Sequence, residues 1–288
     1  MNDQGTLKSR ASKGAGLSFK DCGKAGAEGE AMDSQILSLM PIYKLSSINP
    51  LLRFDEAPRG ARSFILSWEL NKVTGILQFN VPNHRAYGCA LFYDGKVIGC
   101  SYYRESYAKL LEGKEAWWQI WKDATNNTHA CRVGGYALEK QVVLSAAALY
   151  HQEIYKPSET YSTEDLFEVA CLVLANASRP GLVLISDVDD VPILAVFICS
   201  GKIVGLFSYR DSEDWLAPNY ENAFEYLKCT NEPQVFASML AAENFDELES
   251  LAFSISSVID KSGLKANNLI GCSHFGWSGS LFSSEDTV

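Results

Sequence analysis

Apolar residues recur along this chain in short runs of two kinds, and their spacing separates helix from strand. From residue 61 to 71, Phe64, Ile65, Trp68 and Leu70 fall at helical spacing. Gly75 ends that pattern. Ile76, Leu77, Phe79 and Val81 then form a strand, closed by a turn at Pro82-Asn83-His84. Residues 90–99 are apolar around Asp94-Gly95, a pair that predicts a two-residue type I′ hairpin. That turn sets Tyr93 opposite Lys96, Phe92 opposite Val97, Leu91 opposite Ile98, Ala90 opposite Gly99 and Cys89 opposite Cys100. Gly99 then leaves a shallow spot where a helix backbone can approach. Trp117, Ile120 and Trp121 share one helical face, residues 129–134 read as strand, and residues 138–150 as helix.

The pattern then returns. Residues 75–106 align with 181–212 without a gap, 106 residues apart. Gly75, Gly95, Lys96, Gly99, Tyr103, Arg104 and Ser106 each meet an identical residue. Ser162, with Asp165 three residues on, predicts a capped helix to about Ala177. A strand from Gly181, a turn at Asp187–Asp190, a second hairpin, a helix from Asn219 and a strand near Val235-Phe236 follow. The last element is a long helix, capped by Asn244, with Leu248, Leu251, Ile255, Val258 and Ile259 as its buried stripe and Gly263 as its end. The fold class is therefore α+β: a tandem repeat of two similar units, each a small, mostly antiparallel sheet with flanking helices. The boundaries are a disordered tail at 1–32, a first unit at 33–151, a linker at 152–162, a second unit at 163–263 and a C-terminal tail at 264–288.

Three stretches carry a family resemblance: Gly75-Ile76-Leu77, Leu91-Phe92-Tyr93-Asp94-Gly95-Lys96-Val97 and Gly113-Lys114-Glu115-Ala116. With their order of helix, strand, hairpin, helix, strand and helix, they resemble the PATAN (DUF4388-type) domain over residues 61–150. The match is weaker over 164–256, where Ser200-Gly201 forms the turn and Asn219-Tyr220-Glu221-Asn222-Ala223 replaces the Gly-x-Glu-Ala opening. The resemblance implies a bacterial signalling adaptor. No receiver or kinase signature accompanies it.

Composition narrows the function. Hydrophobic residues are 47% of the chain, enough for sizeable cores, and the net charge of −10 argues against a nucleic-acid partner. No apolar run reaches the ~20 residues of a membrane span. With no signal-peptide pattern and eight scattered cysteines, the expected location is cytoplasmic. From Met1 to Ala27, five basic residues stand against two acidic ones, a flexible tail or a contact for acidic surfaces.

No P-loop, Rossmann glycine pattern, G-x-S-x-G or H-E-x-x-H occurs, so no catalytic residue, enzyme activity or cofactor is assigned. Cys89 and Cys100, with His129 and Cys131, are the weak metal or redox candidate, against a reading as buried thiols; Ala195 and Leu206 hold the two equivalent positions. Asp187, Asp189 and Asp190 lack the closing glutamate of a calcium loop. Tyr103-Arg104-Glu105-Ser106 and Tyr209-Arg210-Asp211-Ser212 form the polar repeat. Arg104 and Arg210 either hold a phosphate or carboxylate or pair locally at the start of a helix. Trp118 points away from Trp117 and Trp121, as a partner anchor or a second buried contact. The reading is a non-enzymatic adaptor that binds proteins through its helix faces. Its alternative is a small-ligand or nucleotide sensor with a site between the repeats near Arg104 and Arg210.

Overall fold

The structure is a computed structural model. It describes residues 40–45, 52–54, 58–107, 109–126, 131–155, 161–210 and 214–260. The expected tails at 1–32 and 264–288 lie outside the described residues, as do His129 and Gly263.

Short, nearly continuous apolar runs, the central ones buried on both faces, build two antiparallel six-stranded sheets, so the chain is α+β. The first sheet contains β1 (Leu52–Phe54), β2 (Gly75–Val81), β3 (Ala86–Tyr93), β4 (Lys96–Arg104), β5 (Lys109–Glu112) and β6 (Arg132–Ala137), in the order β1-β6-β2-β3-β4-β5. The second contains β7 (Gln152–Tyr155), β8 (Gly181–Ser186), β9 (Pro192–Cys199), β10 (Lys202–Ser208), β11 (Asp214–Leu216) and β12 (Gln234–Leu240). Its order is β7-β12-β8-β9-β10-β11. Gln152–Tyr155, expected in the linker, is thus an edge strand paired with β12. Its backbone groups gain ladder partners that a free linker lacks.

Helices cover the outer face of each sheet, and one helix lies between them. α1 (Pro58–Leu70) and α2 (Gly113–Thr125) pack Phe64, Ile65, Trp68, Trp117, Ile120 and Trp121 over Leu77, Phe79, Phe92 and Tyr102. Phe92 meets Trp68 and Trp117 edge-on, with ring centroids 5.3 and 6.0 Å apart. α4 (Thr163–Ala177) and α5 (Tyr220–Lys228) cover the second sheet through Phe167, Leu174, Ala223 and Leu227. Ser162 caps α4: its Oγ accepts from the Asp165 amide at 3.2 Å and donates to the Asp165 carboxylate at 2.8 Å. Asn219 caps α5 in the same way, accepting from the Asn222 amide at 2.8 Å.

The middle helix α3 (Lys140–Ala147) is buried at every position from Val142 to Ala147, the signature of a helix enclosed on all sides. Val142, Val143, Ala146 and Ala147 touch both sheets, through Ile76, Cys89, Leu91 and Ile98 of the first and Leu182, Ala195, Phe197 and Phe207 of the second. Polar bonds fix it in place. Ser145 Oγ donates to the Ile198 carbonyl at 2.8 Å, and Ser238 Oγ donates to the Ala148 carbonyl at 2.7 Å.

Other expectations are corrected. The Asp94-Gly95 turn forms, with both residues at positive φ (47° and 80°), and Tyr93 and Phe92 face Lys96 and Val97 as expected. Beyond them Ile98 bulges out, so Leu91 faces Gly99, Ala90 faces Cys100 and Cys89 faces Ser101. The space over Gly99 is filled by the ring of Tyr150, not by a helix backbone. The long terminal helix is also broken, into α6 (Ala242–Asp246), α7 (Leu248–Leu251) and α8 (Ile255–Asp260). Between α7 and α8, Phe253 pairs with Val97. A continuous helix would leave the outward-facing Val97 backbone without this partner.

Candidate functional site

Two concavities and one polar cluster bear on function. The first concavity, about 340 Å³, lies between the two sheets where α3 ends. Ser101, Tyr150, Pro41, Leu184 and Phe236 are among the residues that line it, together with the exposed Glu112 and Asp190. The bulge at Ile98 brings Ser101 opposite Cys89, and Tyr150 crosses over Gly99 to meet both. Ser101 Oγ lies 3.1 Å from the Tyr150 hydroxyl and 3.2 Å from Cys89 Sγ, and the Cys89–Tyr150 separation is 3.5 Å. Three X–H groups in a triangle can each donate to the next.

Burial raises the pKa of the Cys89 thiol, and burial also pushes the Tyr150 hydroxyl well above its usual value. Both groups therefore stay protonated near neutral pH and are poor nucleophiles or bases. The neighbouring His151 is engaged too: its Nε2 donates to the Ile98 carbonyl at 2.6 Å.

The cysteine candidate separates. With the register shifted, Cys89 faces the middle layer while Cys100 and Cys131 sit in the outer core. Burial holds the Cys100 thiol well above its usual pKa and pushes Cys131 up to about 12. Among the described residues no group of His, Cys, Asp or Glu is placed to hold a metal ion.

The Tyr-Arg repeat also divides. Tyr103 is buried in the middle layer. Tyr209 donates its hydroxyl to the Pro41 carbonyl at 2.6 Å, tying the turn at Pro41–Lys44 to the second sheet. Arg104 donates to His84 Nδ1 at 2.9 Å and lies over the Tyr107 ring at 5.3 Å. Nearby, the Tyr102 hydroxyl donates to Asp123, and Glu105 pairs with Arg85 at 2.9 Å. A 3-10 turn at Glu105–Tyr107 follows the first exit, not an α-helix. The Arg210 amide donates to Ser208 Oγ at 3.2 Å. Neither arginine lines the cleft between the sheets.

Trp118 is half-buried against the outer core, with Lys122 Nζ 5.4 Å from its ring centroid. A second apolar feature lies beside α4, on the second sheet. A groove of about 280 Å³ beside α4 is lined by Leu172, Ile203 and Tyr220, with Glu168 and Lys202 among its polar residues. Leu172 is 52% exposed. In sequence it is one more apolar position on an amphipathic helix. Tyr150 carried no sequence signal beyond the gap that Gly99 leaves.

No family model, curated protein or solved structure matches this chain. Among the described residues no helix is long and apolar enough to cross a membrane.

Proposed function

We propose that this protein is a non-enzymatic bacterial signalling or regulatory adaptor that works in the cytoplasm. In this reading it is built from two copies of one PATAN-like unit and binds partner proteins through its outer helix faces. Leu172, 52% exposed over an apolar groove, is the observation that carries it. The Cys89, Ser101 and Tyr150 side chains are engaged with one another, which favours binding over chemistry there.

The duplication draws support from matched backbone details, each pair 106 residues apart. Lys72 and Ser178 are left-handed (51° and 53°), as are Asp94 and Ser200 (47° and 50°). Ile98 and Val204 are the extra residues at the two hairpin bulges. The strand orders also correspond, β1 to β7, β6 to β12 and β2–β5 to β8–β11.

Affinity capture with the full chain, followed by protein identification, tests the adaptor reading. The expected result is a partner whose recovery falls with Leu172→Glu or Trp118→Ala. Failure to retain any protein above an unrelated acidic control overturns it.

A second reading, a small-ligand sensor, is favoured by the 340 Å³ cleft, a size suited to a small molecule. Its lining includes Glu112 and Asp190 rather than Arg104 and Arg210, which suits a cationic or hydroxyl-rich ligand better than a nucleotide phosphate. A thermal-shift screen of amines and polyols distinguishes it: shifts abolished by Tyr150→Phe favour the cleft, and no shift dismisses it.

A further inference from the structure

The two hairpins expose the same backbone position, and the chain fills it on the first sheet. One step out from the pair flanking a two-residue turn, facing residues do not bond each other, so their N–H and C=O point outward. Val97, opposite Phe92, holds this place in β4, and Ile203, opposite Ile198, holds it in β10. The next strands do not reach it: β5 pairs with Ser101–Arg104 and β11 with Leu206–Ser208.

At Val97 the position is occupied. The Val97 amide donates to the Phe253 carbonyl and the Phe253 amide donates to the Val97 carbonyl, both at 3.0 Å. Ile255 and Val258 then pack onto the outer core, the same cluster that Leu66 packs against, and Lys114 lies over the Phe253 ring. Val97 is fully buried as a result. At Ile203 no described segment takes the equivalent place. Ile203 is partly exposed, and Leu172, 106 residues after the half-buried Leu66, is 52% exposed. The groove beside α4 is therefore the counterpart of the one that Phe253–Val258 fills.

The charges of the two grooves differ, and the difference describes the occupant. Glu69 binds the hydroxyls of Ser254 and Ser256 on the first sheet, and Ala175 replaces it on the second. Glu168 stands where α1 has Arg62. Burial, and after it the Glu168 carboxylate, raise the pKa of the Tyr220 hydroxyl; the carboxylate, close enough to act on that ring, is what favours a cation at this end of the groove. Lys202 corresponds to Lys96 and is common to both hairpins.

We propose that the groove of Leu172, Ile203 and Tyr220 takes an extended segment of a partner protein. That segment adds a strand at Ile203, places branched or aromatic side chains over Leu172 and sets a Lys or Arg against Glu168. The proposal rests on the adaptor reading and names the chemistry of its partner.

Fluorescence anisotropy with the full chain tests it. The probes are two labelled ten-residue peptides: the Leu251–Asp260 sequence, and the same sequence with Asp260→Lys. Saturable binding, tighter for the lysine peptide, is expected. Ile203→Pro removes the outward N–H while sparing the β9 pairing, and Leu172→Glu charges the groove. Each weakens binding at least about tenfold with an unchanged circular dichroism spectrum, and Glu168→Ala erases the preference for lysine.

No binding up to about 1 mM overturns the proposal. So does binding that ignores Ile203→Pro and Leu172→Glu but responds to Glu69→Ala, since the peptide would then be exchanging into the first groove. Self-association in sedimentation that Leu172→Glu abolishes assigns the groove to a second copy and overturns the partner. A tenfold gain in peptide affinity on Phe19→Ser or Phe282→Ser does the same in favour of the chain's own termini. If partner capture persists while the peptides fail, the groove falls and the adaptor reading stands. If the peptides bind but the lysate yields no partner, the reverse holds.

Discussion

Gly99→Ala tests whether Tyr150 locks the bulge of the first hairpin. A methyl group there would sit 2.3 Å from Tyr150 Cδ2 and 2.7 Å from Cε2, well inside contact distance. The ring cannot slide aside freely, because its hydroxyl is held by Ser101 and Cys89. Overpacking of this kind costs about 1–3 kcal/mol, and each hydrogen bond lost adds about 0.5–1.5 kcal/mol. Alanine recovers about 0.5–1 kcal/mol of backbone entropy, so with one bond lost the net loss is about 0.5–4 kcal/mol. Urea unfolding measures it. In a Tyr150→Ala background the obstructing ring is gone, and Gly99→Ala becomes nearly neutral. The double-mutant cycle then shows a coupling about equal to the whole cost of Gly99→Ala in the intact protein. A cost for Gly99→Ala below about 0.5 kcal/mol, or simple additivity of the two changes, would refute the lock.

The remaining predictions concern buried thiols and a helix cap. Burial pushes Cys131 and Cys171 up to about 12 from 9.0. Their thiols keep protons in the folded chain that the unfolded chain releases, so stability is full below pH 9 and falls as pH rises towards 12. The slope is about 1.4 kcal/mol per pH unit for each thiol, and Cys171→Ala reduces the total by that amount in urea titrations across pH 8–11. Among the described cysteines, Cys229 is exposed and the others are buried. Iodoacetamide labelling with peptide mapping should modify Cys229 well before Cys89; equal rates would contradict the buried triangle. Ser162→Ala removes the α4 cap and costs about 1 kcal/mol, and Ser162→Asp retains most of it, as thermal melts should report.

What the sequence made legible was local. Asp94-Gly95 predicts its turn because both positions need positive φ, and Ser162 and Asn219 predict their caps because a side-chain oxygen must meet an orphan amide. The bulge at Ile98 was hidden, since it depends on Tyr150 and His151, some fifty residues further on. That single added residue also took Cys89 and Cys100 out of the directly opposed positions on which the weak metal or redox candidate rested. The break near Phe253 was hidden for a related reason. Leu248, Leu251, Ile255 and Val258 do repeat at helical spacing, but Val97 offers Phe253 two backbone bonds that the periodicity cannot report. The Tyr-Arg repeat was visible, yet its tyrosines turned towards the middle layer and Arg104 to local partners. Leu172 was unremarked because exposure is a property of what fails to cover a residue.

The middle layer decides how far the two sheets are separable. Its apolar residues come from β2, β3 and β4 on one side, β8, β9 and β10 on the other, and α3 between them. A cut after residue 151 would leave α3 with the first sheet and expose the α3-facing side of β9, where Ala195 and Phe197 are fully buried. The first fragment would in turn uncover Ser145, whose Oγ lies 2.8 Å from the Ile198 carbonyl in the intact chain. Small side chains at Ala146 and Ala147 suit a helix pressed from two sides, and a solvent-facing helix gains nothing from burying them. Each half would thus lose one wall of a shared core, at a transfer cost of about 25 cal/mol for each Å² of apolar surface uncovered. The two sheets are therefore not independent domains here. The outer grooves can differ in charge and occupancy, as Glu69 and Ala175 do, while the shared layer holds both hairpins in fixed relation to one helix.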